Sequence, residues 1–231
     1  MNPSAWDVAV VGAGPGGALA AYACARHGLR TILLEKEKLP RRKVCGGGVS
    51  AKALSVLPFS PQPAMEQRTV SGWVTYGSEQ ALEVAVPRPG MMVCRESFDA
   101  FLTEQAVAAG AKLTECFDLD VVRQNADTST LVSRQRSKIE ARIVIAADGV
   151  NSAVRRQRFP DAHPRTVAAL EARVVPAAWA KERLSDRCVF DFGAVEAGYG
   201  WIFPKRDHFN VGVYRFRKTA ASRDLRAILA R

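Results

Sequence analysis

Val8-Ala9-Val10-Val11-Gly12-Ala13-Gly14-Pro15-Gly16-Gly17, an apolar run that breaks into a glycine-rich turn, decides how this chain folds. Gly12, Gly14 and Gly17 have the Gly-x-Gly-x-x-Gly spacing, which 17 glycines in 231 residues could produce by accident. The surroundings remove that ambiguity. A strand enters the turn and a helix of small residues runs from Pro15 to His27. Gly28 then supplies a left-handed stop, and the next apolar run, Thr31-Ile32-Leu33-Leu34, ends in Glu35. This is the order of a strand–helix–strand dinucleotide unit. Gly12 permits the tight turn, Gly14 lets the backbone approach a pyrophosphate, and Gly17 lets the helix lie close on the strands. The free N–H groups at the helix start, around Pro15 and Gly16, face two negative phosphates, and the helix dipole favours the same charge. Glu35 stands 23 positions after Gly12, where an acceptor for ribose hydroxyls is expected, and Lys36 beside it joins the cofactor-binding set.

A chain of this length buries a large core and holds one large domain or two small ones. Cys24, Cys45, Cys94, Cys116 and Cys188 contain no Cys-x-x-Cys pair, so neither a metal site nor a disulfide framework is expected, and a reducing cytoplasm fits best. The apolar stretch from Ala5 to Ala25 is not read as a signal peptide or membrane span. Asp7, the glycines and the missing basic leader speak against both. The net charge of +10 gathers at Lys36, Lys38, Arg41, Arg42 and Lys43, at Arg155, Arg156 and Arg158, and from Arg215 to Arg231. No helix-turn-helix, zinc finger or aromatic RNA-binding pattern accompanies it, so nucleic acid is not an expected partner. A phosphorylated cofactor, a diphosphate substrate or peripheral contact with an anionic membrane surface remain as readings of that charge. Solvated faces explain the C-terminal cluster equally well.

Periodicity divides the chain into two textures. Helical spacing is expected over Ser50 to Leu57 and over Phe98 to Ala109, the latter capped by Ser97 and stopped by Gly110. Thr69 to Tyr76 and Ala81 to Val86, around Gly77-Ser78, read as an antiparallel pair. Lys112 to Cys116 and Thr130 to Ser133 are short strands. Ala141 to Ala147 is apolar enough for a strand buried on both faces, ending in Asp148-Gly149. From Leu170 onward short strands dominate: Glu171 to Val175, Cys188 to Phe192, Tyr199 to Phe203 and Phe209 to Tyr214. The expected organisation is α/β: a discontinuous Rossmann-like cofactor-binding domain, 1–57 with 93–157, and an antiparallel β substrate region, 58–92 with 158–231, inserted in it and following it.

The second motif, Asp148-Gly149-Val150-Asn151-Ser152-Ala153-Val154-Arg155, places a strand end, an Asp-Gly turn and a helix start in succession. With the first motif it resembles the Asp-Gly signature of flavoproteins related to the aromatic hydroxylases, in which this turn lies near the FAD pyrophosphate. Arg95, in Cys94-Arg95-Glu96-Ser97, matches the arginine that precedes the intervening helix of that superfamily and contacts the cofactor. A strand end followed by a helix start sets backbone N–H groups, Ser152 and Arg155 beside phosphate, and a guanidinium suits oxyanions.

Two further segments resemble the geranylgeranyl reductase family. Lys43-Val44-Cys45-Gly46-Gly47-Gly48 is similar to its Lys-x-Cys-Gly-Gly-Gly stretch, and Tyr199-Gly200-Trp201-Ile202-Phe203-Pro204-Lys205 to its Tyr-x-Trp-x-Phe-Pro-Lys motif. The resemblance implies that Cys45, Gly46 and Gly47 lie near the flavin ring and that Cys45 supplies a proton or positions the flavin. It also implies that Tyr199, Trp201 and Phe203 line a cavity for a prenyl chain. Alternation along a strand puts these aromatics on one face, as a flat apolar wall or as core aromatics of a sheet. The resemblance implies FAD as the cofactor, with NADPH or another reductant as electron source. It implies as substrate a prenyl lipid or prenyl diphosphate whose isolated double bonds accept hydride from reduced flavin.

The superfamily's third motif, a Gly-Asp dipeptide contacting the ribityl chain, occurs nowhere in the sequence. The expectation is a chain that holds the ADP half of the site, either as a piece of a longer product or as a short form that binds nucleotide without catalysis. Aromatic hydroxylation also stays open, because its cofactor motifs are the same. Resemblance to the halogenases would imply an amine in the segment that follows the cysteine loop, and no lysine lies between Lys52 and Lys112.

Overall fold

The computed structural model describes residues 5–76, 81–217 and 224–230. Along the chain come β1 (Trp6–Val11), α1 (Pro15–Arg26), β2 (Thr31–Leu34), β3 (Gly48–Val49), α2 (Ala51–Leu54), β4 (Gln67–Thr75) and β5 (Ala81–Met92). Then follow α3 (Arg95–Ala108), β6 (Lys112–Thr114), β7 (Leu119–Gln124), β8 (Ser129–Ser133), β9 (Lys138–Ala146) and α4 (Ala153–Arg158). The remainder is β10 (Ala168–Val174), α5 (Ala178–Leu184), β11 (Arg187–Asp191), β12 (Gly198–Pro204), β13 (Phe209–Arg215) and α6 (Leu225–Leu229). They divide into two compact units, Met1–Arg42 with Glu96–Arg165 and Lys43–Arg95 with Thr166–Arg231.

The first unit is built on a sheet of order β6-β2-β1-β9-β8-β7. β6, β2, β1 and β9 run parallel, and β8 and β7 return antiparallel at one edge. β1 is apolar throughout because both its faces are covered. Val8 and Val10 pack with Leu33, Ala21 and Ala106, the last two from α1 and α3, while Ala9 and Val11 pack with Ile32, Leu34, Phe117 and Leu131. α1 approaches the sheet closely because its buried face is Gly17, Ala18 and Ala21.

The second unit holds a sheet of order β10-β13-β12-β11-β4-β5-β3. Its pairs are antiparallel with one exception: β11 pairs parallel with β4, Arg187 opposite Ser71 through Asp191 opposite Thr75. The substrate region expected to be antiparallel is therefore mixed. α6 closes one side through Leu225, packed with Val195 and Val213.

Four expectations are corrected. The segment 43–57, expected with the cofactor domain, packs in the second unit because Gly48 and Val49 pair with Met92 and Met91 of β5. α3 starts at Arg95 rather than after a Ser97 cap. β5 continues to Met92 through Pro87 and Pro89, because the register shifts between Thr69 and Ser71 and the prolines fall in that irregularity, where no ladder donor is needed. β9 is paired on both edges yet only partly buried: Val144 packs in one core cluster and Ile145 and Ala147 in the other, but Ile143, on the same face as Ile145, is 58% exposed. The expected Gly77-Ser78 turn lies outside the described residues.

Candidate functional site

In the first unit, the parallel pairing of β1 with β9 brings the two sequence motifs together, Val11 opposite Ala146. Gly12, at φ +99°, lies so close to the second motif that a Cβ would stand 2.5 Å from the Ala147 carbonyl oxygen. A Cβ on Gly17 would stand 1.8 Å from the Gly12 oxygen. Gly14, by contrast, has an ordinary backbone, φ −74° and ψ 176°, and ends α1 with no side-chain cap. The capping residue therefore offers no side-chain acceptor to the first N–H groups of this twelve-residue helix, an end suited to an anionic ligand. Gly16 is exposed beside them with nothing near its Cβ position.

Glu35 is buried at the end of β2. One carboxylate oxygen accepts from the Ala13 N–H at 2.9 Å and from Arg41 at 3.3 Å, and the other from the Glu37 N–H at 3.1 Å. Burial alone would raise its pKa, but these donors bring it below the ordinary carboxylate value. A carboxylate has about four acceptor positions, so Glu35 keeps capacity for a ribose hydroxyl. Arg41 is not the surface cation that its basic neighbourhood implied. It is buried and also donates to Asp99 of α3 at 2.9 Å, so two carboxylates fix its guanidinium. Neither Arg41 nor Asp99 was singled out from the sequence, because a basic run and a helical acid look solvated until the fold buries them. Lys36 is exposed and pairs with Glu37.

Asp148 uses one oxygen to accept from the N–H groups of Ala153 (2.6 Å) and Val154 (3.3 Å), which caps α4. Its other oxygen is buried with no partner. A buried acceptor left open between a phosphate-binding turn and a strand end fits a hydroxyl-bearing dinucleotide such as FAD. Gly149 has φ +82° in the same turn. Ser152 caps α4 by accepting from the Arg155 N–H at 2.9 Å. The Arg155 guanidinium donates to the carbonyls of Val150 and Ala162, so it braces its own loop. Arg95 is half-buried at the start of α3.

In the second unit, Tyr199, Trp201 and Phe203 share one face of β12, with successive ring centroids 6.1 Å apart. The face continues sideways: Tyr199 lies 5.2 Å from Tyr214 and 5.9 Å from Phe190, and Phe190 5.3 Å from Phe203. Trp201 is buried and lies across Gly212, where a Cβ would come within 2.0 Å of its ring. Its indole N–H donates to Asn210 at 2.7 Å, and Asn210 donates to Glu171 at 2.9 Å. The cysteine loop sits on this face, with the Gly46 Cβ position 3.0 Å from the Phe203 ring and 3.1 Å from the Trp201 nitrogen. Cys45 is exposed. Lys205, just past the strand, is buried and donates to the carbonyls of Gly46 and Val93. Arg173, Arg206, His208, Glu66, Asp207 and Cys94 line an open cleft. The register Phe203–Asn210–Arg173 puts Arg173 on the aromatic face. Among the described residues no cluster suits a metal ion, and no helix is long and apolar enough to cross a membrane.

Comparison with known proteins matches residues 5–224 to the family described as FAD binding domain. Digeranylgeranylglycerophospholipid reductase 1 of Methanopyrus kandleri is 34% identical over 226 residues, covering 90% of this chain and 57% of the relative. The geranylgeranyl diphosphate reductase of Rhodobacter capsulatus is 29% identical over 214 residues, covering 90% and 54%. Among solved structures, a geranylgeranyl bacteriochlorophyll reductase-like protein of Thermoplasma acidophilum superposes with a TM-score of 0.80 at 23% identity, over 98% of this chain and 61% of that one. The chain spans little more than half the length of the curated relatives it matches.

Proposed function

The chain belongs to the FAD binding domain family, and from that premise we propose that it serves a flavin-dependent reductase that saturates isolated double bonds of a prenyl chain. The observation that carries this reading is the aromatic face of β12, on which the cysteine loop rests through Gly46. Bound FAD, once reduced, supplies the hydride for one carbon of the double bond. The protein's own residues do the rest. The N-terminus of α1 receives the pyrophosphate, Glu35 a ribose hydroxyl, and the open oxygen of Asp148 a further hydroxyl of the cofactor. Gly12, Gly14, Pro15, Gly16, Gly17, Lys36, Arg95, Gly149, Ser152 and Arg155 complete the proposed set, with Ser152 and Arg155 acting by bracing the second turn. Cys45 delivers a proton to the other carbon, or positions the flavin.

Tyr199, Trp201 and Phe203 hold the prenyl chain and exclude water. Each buried CH₂ contributes about 0.8 kcal/mol, so ten carbons along the wall give about 8 kcal/mol before ordering costs. Arg173 and Arg206 then meet a diphosphate or phospholipid head at the end of the wall, setting register more than affinity. NADPH or another reductant renews the flavin. The exposed run Val174, Val175 and Trp179, with Arg173 and Lys181 beside it, supports peripheral contact with a membrane that supplies such a lipid.

Anaerobic turnover tests the reading. With chemically reduced FAD, the protein is expected to add two hydrogens per double bond to geranylgeranyl diphosphate or a geranylgeranyl ether lipid without oxygen. A product formed only in air and carrying an added oxygen atom would overturn the reductase reading in favour of a hydroxylase.

A further inference from the structure

Lys205 follows the aromatic strand and reaches back beneath it. It is 6% exposed, and its Nζ lies 2.8 Å from the Gly46 oxygen and 3.0 Å from the Val93 oxygen. Those carbonyls belong to two segments that hold each other only briefly: Gly48 and Val49 pair with Met92 and Met91, and the Val93 N–H donates to the Gly47 oxygen at 2.8 Å. Gly47 has φ +70°, and a Cβ there would lie 2.0 Å from the Val93 oxygen and 2.8 Å from Lys205 Nζ. The loop backbone is therefore pressed against both acceptor and donor, with no room for a side chain at Gly47. Proline at 204 fixes the end of β12, and the Lys205 N–H donates to the His208 carbonyl at 2.8 Å, which anchors the base of the side chain.

We propose that Lys205 is a positioning residue, whose ammonium fastens the Cys45-Gly46-Gly47 loop to the end of the aromatic strand by donating at once to the carbonyls of Gly46 and Val93. An apolar side chain of similar length would fill the space without desolvating a charge, but it would leave two inward carbonyls without that donor. The cation makes the stronger hydrogen bonds of its class. The groups that face it are Cys45, Cys94, Glu66 and Glu171, all on segments of the same unit. None replaces it as a donor to those carbonyls, since two are carboxylates and thiols are weak donors. Lys205 thereby sets where Cys45 stands relative to Trp201 and Phe203. The inference concerns this geometry and does not depend on which molecule is reduced.

Amide hydrogen exchange on the whole chain tests it, because the Val93 N–H is bonded to the loop and is released only when the loop leaves. In Lys205→Met, Val93 is expected to exchange about tenfold faster, the effect of one charge-assisted hydrogen bond. Amides of the β12–β13 ladder should stay within about twofold, and Lys205→Arg, which keeps a cationic donor, should recover part of the protection. An unchanged Val93, or acceleration of the ladder amides by the same factor, would overturn the proposal in favour of a general packing role. If Lys205→Met does not fold, Lys205→Gln, which removes the charge and keeps a neutral amide, takes its place. The same selective acceleration at Val93 then supports the clamp, and its absence refutes it.

Discussion

Gly12 and Gly14 are two residues apart in one turn, and different forces require glycine at each. Gly12 has a positive φ and no room for a Cβ, so Gly12→Ala strains the folded chain itself and should cost about 1–3 kcal/mol or more. Gly14 has an ordinary backbone that any residue can adopt, so the need for glycine there points to a ligand drawn close to the chain. Gly14→Val is therefore expected to leave the thermal midpoint nearly unchanged while FAD no longer survives gel filtration. Undiminished flavin absorbance in the Gly14→Val peak would remove the cofactor assignment. Lys205 gives a second prediction at this scale. Burial pushes its pKa from 10.5 down to about 8. Below pH 8 both folded and unfolded chains carry the proton, and the fold bears the cost of a buried charge. Between 8 and 10.5 only the unfolded chain keeps it, so stability rises with pH across that window and levels off above it, by about 3 kcal/mol in all. Denaturation of wild type and Lys205→Met in parallel from pH 7 to 11 isolates this group. A difference between them that stays flat would contradict the buried ammonium.

Elements were legible in the sequence where one force dominated. The Gly12–Gly17 turn, α1 and β2 follow from glycine sterics and an apolar run, and the alternation of Tyr199, Trp201 and Phe203 places them on one face as observed. The elements missed are those whose residues are decided by distant partners. β7 and α5 are short and mix apolar with charged residues without a clear period, and the pairing of β4 with β11 joins residues more than a hundred positions apart. Glu35 was legible because its spacing is local, but Arg41 and Asp99 were not, since only the docking of α3 buries them. β9 shows the opposite error, in which apolarity suggested burial along the whole strand, whereas the cover stops short of Ile143. The consequence is measurable: Ile143→Thr should change stability by about 0.5 kcal/mol or less, as at an open position, whereas Leu131→Ala in the core should cost about 2–5 kcal/mol. Equal losses in urea titrations would mean that Ile143 is covered after all. At the aromatic strand, Gly212→Ala should displace the Trp201 ring and break its bond to Asn210, seen as a shift in tryptophan emission. An unchanged spectrum would show that the strands yield instead.

At the scale of the whole molecule, the chain passes between its two units at Arg42, Arg95 and Arg165, so neither unit is one continuous stretch of sequence. The first unit is nevertheless complete by Arg165, with every strand of the β6-β2-β1-β9-β8-β7 sheet and both nucleotide turns before that point. The second unit is not, because β10 to β13 lie beyond it and β4 depends on β11 for its parallel partner. A chain ending at Arg165 should therefore separate two properties that the intact protein combines. Its affinity for ADP, which the proposed function assigns to the α1 N-terminus and Glu35, is expected to stay within about twofold of the intact chain in calorimetric titration, as for independent sites. The amides of β1 and β9 should keep their exchange protection, while those of β4 that face β11, such as Val70, whose N–H donates to the Asp186 carbonyl, lose theirs. If ADP binding disappears with residues 166–231, the dinucleotide turns are not sufficient for the site, and the substrate region must contribute directly to nucleotide affinity.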